Sequence, residues 1–162
     1  MKKYYLTAVL SLCFSAGLRS QSTYTVNNTP GSSADYHVLQ NALDSVPSGS
    51  ILLLENSGLN YGQANINKPV VIYGAGYFLT QNAAPATQAV TSESLVSLLA
   101  FNAGSQGSFV SGLHVKDSAN DSKIMNRRVT FNSTSNVTLS RCFIEPSVAF
   151  SPNYPGDVMA FS

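Results

Sequence analysis

Ala100-Phe101-Asn102, followed by Val110-Ser111-Gly112-Leu113-His114-Val115, is the stretch on which the reading of this chain turns. Its first part recurs as Thr130-Phe131-Asn132, 30 residues later. Its second part recurs as Leu139-Ser140-Arg141-Cys142-Phe143-Ile144, 29 residues later. An earlier copy, Ile72-Tyr73-Gly74-Ala75-Gly76-Tyr77, is displaced by an irregular loop over 80–94 that holds Pro85 and Glu93. A constant period of about 20 to 50 residues marks a repeat architecture. Each copy holds short strand-like runs divided by Gly, Ser and Asn, and no helical pattern. The unit therefore reads as one coil of a β-solenoid.

Stacking follows from that unit. One coil cannot bury its apolar side chains alone, whereas stacked coils bury them in a shared interior column at a strand spacing of about 4.8 Å. The alignment predicts Val110 over Leu139, Leu113 over Cys142, Val115 over Ile144 and Phe101 over Phe131. Asn102 and Asn132 fall just after a strand. Two readings stand for them: a ladder of stacked amides, or ordinary turn residues.

Working outward, residues 23–27 read as a strand and 28–33 as a turn around Pro30-Gly31. Val38, Leu39, Ala42, Leu43 and Val46 recur at helical spacing and predict an amphipathic helix over 33–46, capped by Ser33 or Asp35 and ended by Pro47-Ser48-Gly49. Its place suits the cap that an open solenoid end needs. Residues 51–54 read as a strand, 66–73 as a strand region and 74–76 as a turn. The final residues 157–162 look like a strand opening another coil, so the chain reads as the N-terminal portion of a longer solenoid.

Composition agrees. The chain has 162 residues, 44% apolar, enough for one domain with a sizeable core. Charged residues make up 10%, against about 25% in an ordinary domain, and Ser, Thr, Asn and Gly take their place. Met1-Lys2-Lys3, an apolar run over 4–14 and small or polar residues over 15–22 read as a signal peptide cut near Ser20-Gln21. The run is shorter than the roughly 20 residues of a membrane span. Leu12 is too large to precede a lipidated Cys13. Cleavage leaves six basic and eight acidic residues, a net charge of −2. Without clustered Lys and Arg, a nucleic-acid partner is not expected. Arg127-Arg128 reads as a solvated turn pair. The expected divisions are a signal peptide over 1–20, a strand and capping helix over 21–49, and coils over 50–162.

Residues 35–76 resemble the N-terminal region of pectin-lyase-like parallel β-helix proteins. The likeness is carried by Asp35-Tyr36-His37-Val38-Leu39-Gln40-Asn41-Ala42-Leu43, Pro47-Ser48-Gly49-Ser50-Ile51, Tyr61-Gly62 and Ile66-Asn67-Lys68-Pro69-Val70-Val71-Ile72-Tyr73-Gly74. Val110-Ser111-Gly112-Leu113 and Asn136-Val137-Thr138-Leu139 look like the family's coil phrase. The resemblance implies an all-β fold, a right-handed parallel β-helix with an N-terminal capping helix. It also implies export, and a polysaccharide as ligand or substrate.

No catalytic motif of that family can be carried onto this chain. Polysaccharide lyases of this shape need calcium-binding carboxylates with a basic residue, and glycoside hydrolases need clustered carboxylates. Here five Asp and three Glu are scattered: Asp35, Asp44, Glu55, Glu93, Asp117, Asp121, Glu145 and Asp157. Lys116-Asp117 with Asp121 and Lys123 is the densest charged patch and reads as a solvated loop. His37 is expected on the helix, and alternation puts His114 on the outer face of a strand. Neither histidine has a motif partner. Cys142 reads as a small buried hydrophobe. No zinc spacing, phosphate loop or helix-loop-helix calcium loop is present, so no catalytic residue, metal ligand or cofactor is assigned. The expected function is a secreted or cell-surface scaffold, carbohydrate-binding or structural. A lyase or hydrolase with its catalytic coils beyond this chain, and a surface adhesin, are the alternatives. Further C-terminal coils are the other expected partner.

Overall fold

The computed structural model describes residues 21–76, 92–116 and 128–145, and the backbone of two further short strands, Val148–Phe150 and Ala160–Phe161. The expected signal peptide over 1–20, most of the irregular loop, and the charged residues Asp117, Asp121 and Lys123 lie outside these residues.

The fold is mostly β. Its strands are β1 (Thr23–Val26), β2 (Ile51–Leu54), β3 (Gln63–Ile66), β4 (Val71–Gly74), β5 (Leu95–Val96), β6 (Leu98–Phe101) and β7 (Phe109–Ser111). They continue as β8 (His114–Val115), β9 (Val129–Phe131), β10 (Thr138–Ser140), β11 (Phe143–Ile144), β12 (Val148–Phe150) and β13 (Ala160–Phe161). Among the described residues one helix, α1 (Leu39–Ser45), lies between β1 and β2.

Three sheets form, and every strand pair within them is parallel. The largest runs β1-β2-β4-β7-β10-β13, the second β12-β9-β6-β3 and the third β11-β8-β5. From β5 onward the chain visits the third, second and first sheet in that order, three times over. That recurring path is the structural form of the repeat seen in the sequence. Among the described residues the three sheets remain separate, and no closed solenoid is seen.

Register follows the alignment. Val110 pairs with Leu139, Val115 with Ile144 and Phe101 with Phe131. Phe143 N–H donates to Leu113 O at 2.9 Å, which sets Cys142 beside Leu113. The row Leu52, Ile72, Val110 and Leu139 crosses the largest sheet with at most 3% of any side chain exposed. In the second sheet, Ile66, Phe101 and Phe131 form the corresponding row. The rings of Phe101 and Phe131 stack at 5.3 Å, tilted by 5°. Burial of each such side chain contributes about 1.5–3 kcal/mol, so these rows dominate the stability of the fold.

The amide ladder is present, and it is longer than the alignment shows. Asn132 Nδ2 donates to Asn102 Oδ1 at 3.0 Å, and Asn102 Nδ2 donates to Asn67 Oδ1 at 2.9 Å. Each Asn follows the last residue of a second-sheet strand.

Two expectations change. Residues 66–73 are not one strand region. Ile66 ends β3 in the second sheet and Val71 begins β4 in the first, with Asn67-Lys68-Pro69-Val70 turning between them. Pro69 has no N–H to give a ladder, but its carbonyl accepts from Gly49 N–H at 2.7 Å. The helix is also shorter than 33–46. It starts at Leu39, and Val38 stands at its N-cap without a capping side chain. Asp35 is diverted: its Oδ2 accepts from Thr25 N–H at 2.8 Å and Thr25 Oγ1 at 2.9 Å. Those bonds hold its carboxyl below the ordinary carboxylate range. Tyr36 then bridges Val26 beside β1, so the segment satisfies a sheet edge instead of starting a helix.

α1 covers the other exposed edge. Leu39, Ala42 and Leu43 face the core. Gln40 Oε1 accepts from Asn65 N–H at 2.8 Å, and its Nε2 donates to Asn65 O at 3.2 Å. The side-chain amide thereby acts as a strand neighbour for β3, the outermost strand of its sheet. At the helix end, Lys68 Nζ donates to the carbonyls of Asp44 and Val46 at 3.0 and 2.5 Å. This meets the orphan acceptors of a C-terminus with positive charge.

Candidate functional site

The outward face of the largest sheet is built from alternate residues of its strands. Register sets Thr23, Ile51, Val71, Phe109 and Thr138 in one row, and Thr25, Leu53, Tyr73, Ser111 and Ser140 in the next. Their alternate neighbours point into the core. The centre of this face is apolar and open: Tyr73 is 43% exposed and Leu53 37%, while Ile51, Val71 and Phe109 are half-buried. The Tyr73 and Phe109 rings lie 5.7 Å apart on adjacent strands, inclined by 56°. Hydroxyls of Thr23, Ser111, Thr138 and Ser140 border the patch at both ends, and that of Thr25 is bonded to Asp35.

Such a face can offer aromatic rings to the apolar side of a flat ligand, and hydroxyls to its rim. Sequence reasoning missed it. The available signal was Ile51-Leu52-Leu53-Leu54, a continuous apolar run where a strand with one wet face would alternate.

A second cluster lies on the third sheet. Leu95, His114 and Phe143 share its outward row, as alternation predicts for His114. Yet His114 is buried, with its ring against Phe143 at 4.9 Å. Its Nδ1 bonds Glu93, and its Nε2 lies 3.2 Å from Glu145 Oε1. Lys116 Nζ lies 3.2 Å from that same oxygen. Burial works against ionising Glu145, but Lys116 and His114 outweigh it and hold its carboxyl below the ordinary range. A carboxylate so held is a poor proton donor near neutrality, and glycoside cleavage needs an acid with a raised pKa. Both nitrogens of His114 are occupied, so the cluster ties the segment before β5 to β8 and β11.

The remaining sequence candidates serve the fold. His37 precedes α1 and does not lie on it, and its Nδ1–H donates to Asn27 O at 3.0 Å. Cys142 is half-buried, its thiol donating to Ser140 O at 3.3 Å, and burial pushes that thiol up, away from nucleophile chemistry. Arg128 is half-buried, and its carbonyl accepts from Leu99 N–H at 2.9 Å. Among the described residues no group of His, Cys, Asp and Glu is arranged for a metal ion, and no helix is long and apolar enough to cross a membrane. Comparison with protein-family models, with curated proteins and with solved structures finds no match.

Proposed function

We propose that the chain is an exported right-handed parallel β-helix of the pectin-lyase-like kind, acting as a carbohydrate-binding scaffold through the outer face of its largest sheet. The β-helix reading is supported by the recurring sheet order from β5 to β13, the Asn67–Asn102–Asn132 ladder and the α1 cover over β3. The binding reading is carried by one observation, the exposed Tyr73 ring set against half-buried Phe109 on the outward face of a parallel sheet. Pyranose rings present C–H faces that pack on aromatic rings, and their equatorial hydroxyls reach side-chain hydroxyls at the rim. A rigid sheet holds these groups in place before the ligand arrives, which lowers the ordering cost of binding.

Purified protein should be retained on immobilised polysaccharides, and Tyr73→Ala should weaken that retention without lowering the melting temperature appreciably. Failure to bind any of a broad set of plant, fungal and bacterial polysaccharides would remove the carbohydrate reading and leave a structural scaffold. Release of unsaturated products or new reducing ends would replace the scaffold with an enzyme.

A further inference from the structure

We infer that the ligand of this face is a neutral, β-linked polysaccharide lying across the strands, with successive sugars over successive strands. The inference rests on the carbohydrate reading above and adds the charge and direction of the ligand.

Charge comes first. None of the ten described side chains in the two outward rows is ionisable near neutral pH. Three charged groups beside the face are committed elsewhere. Asp35 holds Thr25, Glu55 Oε2 accepts from Asn27 Nδ2 at 2.7 Å, and Lys68 is spent on the carbonyls of α1. Arg141, exposed, stands just past Ser140 at the end of β10, beyond the two outward rows. A polyuronate laid on this surface would give up water around its carboxylates and, among the ten side chains of these two rows, meet no cation, which is costly. A neutral glycan gives up only hydroxyl hydration, and the rim hydroxyls restore part of that.

Direction follows from two repeats. Outward side chains recur across the sheet at about 4.8 Å, but along a strand only at every second residue, or about 6.6 Å. A β-linked pyranose chain repeats at close to the first of these distances. Laid across the strands, it sets consecutive rings over β2, β4 and β7. Leu53 and Tyr73 then meet successive sugars, Ser111 offers its hydroxyl to the next, and Phe109, in the adjoining row, supports the Tyr73 ring from the side. Laid along a strand, the chain falls out of step within two sugars.

The test is calorimetric titration of the whole chain with cellohexaose, chitohexaose and polygalacturonate, each at low and high salt. Variants are Tyr73→Ala, Tyr73→Phe and Arg141→Ala, each checked for an unchanged melting transition. A neutral oligosaccharide is expected to bind with little salt dependence. Tyr73→Ala should weaken it about tenfold, as loss of one aromatic contact implies, while Tyr73→Phe and Arg141→Ala stay near wild type. Binding should also strengthen with oligosaccharide length up to about three sugars, one for each apolar strand of the face. Binding to polygalacturonate alone, weakened by salt or by Arg141→Ala, overturns the neutral ligand and leaves the carbohydrate reading standing. Neutral binding that ignores Tyr73→Ala moves the ligand off this face. Absence of binding by all three probes overturns the neutral β-linked ligand, and retention on any other polysaccharide of the broader set then leaves the carbohydrate reading standing.

Discussion

Gly112→Ala is the sharpest test of how closely the layers stack. Gly112 follows β7 with φ +73, and a Cβ there would stand 2.7 Å from the carbonyl oxygen of Gly74, which ends the neighbouring strand β4. The obstacle is backbone, so relief requires β4 and β7 to part. The same glycine is tied on both sides: Gly76 N–H donates to Gly112 O at 2.9 Å, and Gly112 N–H donates to Ser140 O at 3.3 Å. Two costs add. An L residue in the left-handed region costs about 1–2 kcal/mol, less about 0.4–1 kcal/mol recovered from the stiffer unfolded chain. Overpacking adds about 1–3 kcal/mol. The expected loss is about 2–4 kcal/mol. Gly107→Ala supplies the control, because Gly107 has φ +81 but open space where its Cβ would go. It carries the first cost alone, about 1 kcal/mol. Urea unfolding of both variants, with the slope checked for constancy, gives the difference directly. Equal losses within about 0.5 kcal/mol would refute the close approach of Gly74 and Gly112, and with it the stacked register of β4 on β7. Arg141 sharpens the comparison. It follows Ser140 as Gly112 follows Ser111, and it holds φ 48 with a full side chain that projects to solvent.

Phe101→Ala should lose about 3–5 kcal/mol in urea unfolding, and a double-mutant cycle with Phe131→Ala should show about 0.5–1.5 kcal/mol of coupling. A loss below about 1 kcal/mol would deny the interior column. Asn102→Ala removes the middle of the ladder and both its amide bonds, an expected loss of about 1–2 kcal/mol read from the same unfolding curves. Tyr61 gives a pH dependence. Burial pushes its phenol up to about 12 from an ordinary 10.0, and its hydroxyl donates to Val26 O and Glu55 O. The folded pKa is the higher one, so this contribution is complete below pH 10 and fades as pH climbs towards 12. Tyr61→Phe should flatten the stability profile across that window, measured by thermal unfolding against pH.

Much of the fold is legible in the chain itself. A constant coil length forces chemically similar residues into the same place on successive passes, which is why Val110 and Leu139, or Phe101 and Phe131, pair as their alignment predicts. The stretch 80–94 breaks that period in the sequence and hid the third ladder residue, Asn67, 35 positions before Asn102. Local pattern also failed where a distant partner competed. Helical spacing and a capping Asp are present near residue 35, but the unpaired edge of β1 took Asp35 and Tyr36 for itself.

The candidate site was the least legible part. Alternation states which residues of a strand share a face, and it put His114 outward correctly. It carries no information on what lies over that face. Phe143, Glu93 and Glu145 cover His114, whereas Tyr73 and Leu53 stay open. Period and apolar spacing are properties of neighbours along the chain, and they determined the stacked strands. Exposure is set by whichever residues return from elsewhere in the chain, so only the tertiary structure decided which outward row became a surface.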